Sequence, residues 1–166
     1  MSEHVVELED IKLPLPSSPS EEVVLHGDMD SFLIYSTFYA SDNRTLKSIL
    51  VACEGLSLSR FGYPNDEGIA EHRLFSKGLG NLNGFGEVKD SEFLKEYESM
   101  SKHSRERIWS GRKIPVSGYA PPMKRHFIVS FKENVFEAVC NNLRLVGIFP
   151  NHSSALNDVA PKINLR

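Results

Sequence analysis

The chain has 166 residues, of which 40% are hydrophobic and 25% charged, with a formal net charge of −3. That length suits one globular domain, and the apolar fraction is enough for a core, which excludes a wholly disordered chain. No run approaches the roughly 20 apolar residues of a membrane span, and the start Met1-Ser2-Glu3-His4 has neither the basic nor the apolar region of a secretory signal.

Residues 1–20 read as a flexible arm and linker. Val5, Leu8 and Ile11 suit a short edge strand, and Pro14, Pro16 and Pro19 then remove ladder donors and favour an extended segment. The compact domain is expected over residues 21–150. Val23–His26 leads into the turn-like Gly27-Asp28-Met29-Asp30. From Ser31 to Tyr39 both faces are apolar, which predicts a central strand. Leu46–Cys53 reads as the next strand, and Leu56–Phe61 alternates as a half-buried one after Glu54-Gly55.

Asp66–Phe75 suits a helix stopped by Gly78. Asp90 or Ser91 can cap a second helix with the stripe Phe93, Leu94, Tyr97 and Met100. Residues 102–122 show no periodicity, which predicts a functional loop. A hairpin follows. With Glu133-Asn134 as its turn, Phe131 pairs with Phe136, Val129 with Ala138 and Phe127 with Cys140, all on one apolar face. Leu143–Phe149 suits a further strand, and residues 151–166 read as a polar tail in which Ser153 or Ser154 caps a short turn. The pattern predicts an α+β domain: a mainly antiparallel, curved sheet of about six or seven strands with one or two packed helices.

Cys53 and Cys140 both sit in apolar runs, which suits buried thiols in a reducing cytoplasm, and a bond between them cannot be deduced from spacing. No Cys-x-x-Cys pair is present, which argues against a structural zinc. Nor is there a P-loop, a G-x-S-x-G or an H-E-x-x-H motif.

Four segments hold residue types that can carry chemistry. In Tyr63-Pro64-Asn65-Asp66-Glu67, followed by Glu71-His72, Asn65 is a natural helix cap, and its neighbours favour the helix dipole. Read functionally, Tyr63, Asn65 and Asp66 would bind a ligand, Glu67 or Glu71 would act as base, and His72 would shuttle a proton. His126 and Glu137 lie on the non-core face of the hairpin and would complete such a pocket as acid/base groups. Asp28 and Asp30 point to one side of an extended chain, as oxygen donors for Mg²⁺ or Mn²⁺ would, though an acidic turn joining two strands is the simpler reading of so common a pattern.

Residues 102–126 carry seven cations against the single acid Glu106, a net +6, while residues 1–30 carry one cation against eight acids, a net −7. Within the basic stretch, Trp109, Arg112, Tyr119 and Arg125 could hold a phosphate or a protein partner. Nucleic acid as the main ligand is disfavoured by the overall negative charge. Two functions fit: a domain binding a polar or anionic small molecule, with acid–base catalysis open to it, or a non-enzymatic protein-interaction module using the loop 102–122.

The run Phe61-Gly62-Tyr63-Pro64-Asn65-Asp66-Glu67, with His72-Arg73-Leu74-Phe75 and Gly78-Leu79, resembles a motif of small uncharacterised bacterial proteins. Glu87-Val88, Arg125-His126-Phe127 and Phe136-Glu137 extend the resemblance to about residues 23–140. It implies no particular activity.

Overall fold

The computed structural model describes residues 2–17, 21–27, 30–38, 45–62, 64–65, 67–109 and 123–163, with the backbone alone for 105–109. Nine strands form within them: β1 (His4–Glu7), β2 (Glu22–His26), β3 (Ser31–Phe38), β4 (Leu46–Glu54), β5 (Leu58–Gly62), β6 (Phe85–Lys89), β7 (Arg125–Ser130), β8 (Val135–Cys140) and β9 (Asn142–Phe149). Two α-helices accompany them, α1 (Glu92–Trp109) and α2 (His152–Val159). None of the described helices is long and apolar enough to cross a membrane.

The fold is α+β and its strands pair antiparallel, in two sheets rather than one. The five-stranded sheet has the order β1-β6-β7-β8-β5, and the four-stranded sheet the order β2-β3-β4-β9. The extra strands come from segments with weak patterning. β6 has a glycine as its second residue, and β1 comes from the stretch read as an arm.

Two strand pairs run from one sheet into the other. β8 passes into β9 through Asn141 alone, and β4 passes into β5 through Gly55-Leu56-Ser57. Asn141 N–H donates to Glu54 O at 2.9 Å, so the two strands stay tied as they turn the corner. Gly55 makes that turn at φ 59°, in the left-handed region where a side chain is strained.

Leu33, Tyr35, Ile49 and Val51 of one sheet face Phe127, Val129, Phe136 and Ala138 of the other, all nearly devoid of solvent contact. Both faces of β3 and β4 are buried, as the two-faced apolar pattern of residues 31–39 and 46–53 requires. Tyr35 Oη reaches out of this core to donate to Pro14 O at 2.6 Å, and Thr37 Oγ1 donates to Leu15 O at 2.6 Å, so the proline-rich segment is bonded to the sandwich.

On the far face of the four-stranded sheet, Ala155 and Val159 of α2 cover Phe32, Ile34, Leu50 and Ala52. The cap of α2 is Asn151, whose side chain accepts from Ser154 N–H at 2.9 Å, two or three residues ahead of the expected Ser153 or Ser154. The polar look of residues 151–166 hid one apolar stripe.

The β7–β8 hairpin keeps the expected apolar face but not the expected register. Phe127 lies opposite Ala138, Val129 opposite Phe136, and Ile128 opposite Glu137. The turn is Lys132-Glu133, closed by Phe131 N–H donating to Asn134 O at 2.8 Å. A slip of two residues preserves which side chains face the core, so hydrophobic patterning alone cannot detect it.

The helix expected over 66–75 is replaced, within the described residues, by short 3-10 turns at Ile69–Glu71, Phe75–Lys77 and Leu79–Asn81. His72 is extended (φ −66°, ψ 135°), and its Nδ1 accepts from Leu74 N–H at 3.2 Å, which removes that donor from a helical ladder. The segment is pinned on the five-stranded sheet by Leu74 and Leu79, packed with Val5, Val88 and Ile128. α1 starts where expected, with Ser91 Oγ accepting from Leu94 N–H at 2.9 Å, but runs on to Trp109 through a stretch read as irregular. Its apolar stripe ends as the helix leaves the sheet, and Met100 is already exposed.

Candidate active site

The outer face of the five-stranded sheet carries a buried charged cluster. His126 of β7 and Glu137 of β8 are diagonal neighbours in the observed register, with Glu137 opposite Ile128 and His126 opposite Val139. In the register expected from sequence they would lie further apart. The two-residue slip is therefore what brings them together.

Glu137 is the hub. Its Oε2 accepts from Arg73 at 2.5 Å and lies 3.0 Å from His126 Nε2, off the hydrogen-bond line, while Oε1 lies 3.7 Å from His72 Nε2. The Glu137 side chain is only 5% exposed. Burial by itself raises a carboxyl pKa. Here the His126 and His72 contacts and the Arg73 charge outweigh it and hold Glu137 far below the usual carboxylate range, so it is ionised.

Arg73 is shared between two buried acids. Its second terminal nitrogen donates to Glu3 Oε1 at 2.8 Å, and Lys77 Nζ donates to Glu3 Oε2 at 3.2 Å. Glu3 Oε1 also accepts from Glu92 N–H at 3.0 Å, at the start of α1. These bonds overcome the opposing effect of burial and lower the Glu3 pKa. The cluster thus joins the N-terminus, the 3-10 segment, α1 and the sheet.

The imidazole orientations follow from their partners. Ser91 Oγ accepts from Leu94 N–H and sits 2.7 Å from His126 Nδ1. With a carboxylate opposite Nε2, the ring proton belongs on Nε2, and Ser91 donates to Nδ1. His126 has no solvent exposure and packs edge-on against Phe93 at 5.3 Å. Its Nε2 lies 3.0 Å from Glu137 Oε2, beneath the sheet face rather than on its surface. His72 likewise has Nδ1 occupied by Leu74 N–H, which places its proton on Nε2 toward Glu137.

A cleft of about 410 Å³ opens over this cluster. Arg60, Glu71, His72, Arg73 and Glu137 line its polar side, and Phe61, Pro64 and Val135 its apolar side. Arg60 lies over the Phe93 ring at 4.0 Å and reaches Glu96 at 3.5 Å.

Of the residues expected at a site, His72, His126 and Glu137 come together. Glu67 does not join them: it is exposed and outside the cleft lining. Asn65 spends its side chain on a local turn, accepting from Gly68 N–H at 3.0 Å. Arg125 projects from the opposite face of β7 to His126, paired with Asp10 at 2.7 Å and Glu87 at 2.6 Å. Asp30 Oδ1 accepts from Gly55 N–H at 2.9 Å, which braces the inter-sheet corner. Tyr63, Asp66, Asp28 and Arg112, with the side chain of Trp109, lie outside the described residues. Among those described, no group of three or more His, Cys, Asp or Glu side chains is arranged to hold a metal ion.

Sequence reasoning missed Glu3, Arg73 and Ser91 as members of the cluster. Only Ser91 had a local signal, its capping position. Glu3 sits 70 residues from Arg73, and nothing local marks that pairing.

Fold and site together define a two-sheet α+β domain with a charged cleft on one outer face. Compared with known proteins, the chain matches no protein family, no curated protein and no solved structure at a significant level.

Proposed function

We propose that this chain is a small-molecule-binding domain whose cleft takes a polar, anionic ligand against Arg60 and Arg73. The carrying observation is the mounting of Arg73. Two buried carboxylates fix its guanidinium at the cleft, while its side chain keeps 32% exposure. A guanidinium has five N–H donors, and the two ion pairs use one terminal nitrogen each. Donors held rigidly in this way lose little entropy on binding. Arg60 supplies a second cation, and Phe61, Pro64 and Val135 an apolar wall for the ligand body.

Acid–base chemistry in this cleft would fall to His72 backed by Glu137, and His72 would have to release Leu74 N–H before accepting a proton. Kinship with the small bacterial proteins bearing the F-G-Y-P-N-D-E run is part of the same proposal, since Phe61, Gly62 and Pro64 of that run, with His72 and Arg73 of the segment after it, line the cleft. The protein-interaction alternative rests on Trp109 and Arg112, whose side chains lie outside the described residues.

The test is a thermal-shift screen of carboxylates, phosphates and nucleotides, repeated on Arg60→Ala. Arg60 is 51% exposed, so its loss leaves the fold intact. A ligand at about 100 times its Kd stabilises by about 2.7 kcal/mol. The proposal expects such a shift for an anionic compound and its loss in the variant. An unresponsive wild type, or an equal response from Arg60→Ala, refutes it.

A further inference from the structure

The inner side of the inter-sheet corner carries the chain's two cysteines. Cys53 is the penultimate residue of β4 and Cys140 the last of β8, and both have no solvent exposure. They belong to the same core cluster, one from each sheet. Their neighbours Glu54 and Asn141 make the 2.9 Å backbone bond that ties the corner, and Leu143, three residues past Cys140, lies directly opposite Cys53. Both side chains belong to that core, and the Cys140 thiol lies 3.4 Å from Asn142 O as a donor. The two cysteines therefore enter the same core at the corner of the fold, one from each sheet.

We propose that Cys53 and Cys140 form an oxidation site, closing a disulfide that links the two sheets when the protein meets a peroxide. The balance is simple. One thiolate attacks a peroxide oxygen, the O–O bond breaks, and a sulfenic acid forms with release of water. The second thiol displaces hydroxide from that sulfur, the S–S bond forms, and a second water leaves. Two thiols lose two hydrogens, and one peroxide becomes two waters.

The same surroundings set the rate. The neighbouring Cys140 and burial hold the Cys53 thiol above its usual pKa, and the thiolate is the reactive form. Oxidation is therefore slow in the closed fold and follows local opening of the corner. The neighbouring residue, rather than a second protein, captures the sulfenic acid.

The experiment uses the full wild-type chain with hydrogen peroxide as the probe. After the peroxide is destroyed with catalase, the protein is unfolded in guanidinium with iodoacetamide and digested without reductant. The expected result is one linked pair of peptides containing residues 53 and 140, two hydrogens lighter than their sum and unlabelled at either cysteine. Dithiothreitol should return both peptides to the alkylatable form. Two fully alkylated cysteines after prolonged exposure overturn the proposal. Single-cysteine sulfinic or sulfonic products, or disulfides between two chains, overturn it equally.

Discussion

Replacing Glu137 by Gln keeps the side-chain volume and removes one negative charge from a site with 5% exposure. Removing one partner of a buried ion pair costs about 3–5 kcal/mol, mostly because the other charge is left uncompensated. Two features lower that figure here. Arg73 keeps Glu3 at 2.8 Å, and its side chain is 32% open to water. The expected loss is about 2–3 kcal/mol, at or below the lower end of the range for breaking such pairs, or a Tm lower by roughly 5–10 °C for a chain of this size. Urea unfolding at pH 7 measures it.

The pH dependence supplies the decisive check. The folded Glu137 pKa lies below its ordinary value of 4.5, so its contribution is complete above that value and is lost as pH falls toward the folded pKa. The gap between wild type and Glu137→Gln should therefore narrow below pH 4.5. A gap under about 0.5 kcal/mol at pH 7, the size of an ordinary surface substitution, would refute the reasoning. So would a gap that stays constant down to pH 3.

Ser91→Ala removes the cap on Leu94 N–H, worth about 1 kcal/mol, and leaves the buried His126 Nδ1 without a donor, worth about 1–3 kcal/mol. Urea unfolding should show a loss of about 2–4 kcal/mol, and a change within 0.5 kcal/mol of zero, typical of a surface site, would contradict the assigned donor. Glu3→Ala leaves Arg73, Lys77 and the Glu92 N–H without their shared acceptor, and its side chain is only 1% exposed. Hydrogen exchange should then become faster across His4–Glu7 and at the start of α1 together, whereas loss of protection in β1 alone would show that the cluster does not couple them.

The strands with two-sided or strictly alternating apolar patterns were legible in the sequence, because Ser31–Phe38, Leu46–Glu54 and the β7–β8 hairpin bury side chains according to that pattern. Patterning records which face is buried but not which partner lies opposite, so the hairpin register escaped by two residues. Two members of the site, His126 and Glu137, were visible as polar residues on an otherwise apolar strand face. His72 stood out beside them, but the helix assigned to its segment was defeated by its own ring accepting Leu74 N–H. Glu3 was illegible, since an acid near a chain end looks solvated until its partners at positions 73, 77 and 92 are known.

The anchoring of Glu3 also bears on the order in which the chain can mature during synthesis. β1 has its pairing partner at Phe85–Lys89, and the acid before it is completed only when Glu92 is available. Until residues 85–92 have been made, β1 is an unpaired edge and Glu3 lacks its partners, so neither can contribute to early structure. The β3–β4 pair, separated by a short connection, can form well before it. β1 is thus among the later elements of the fold to reach its native place.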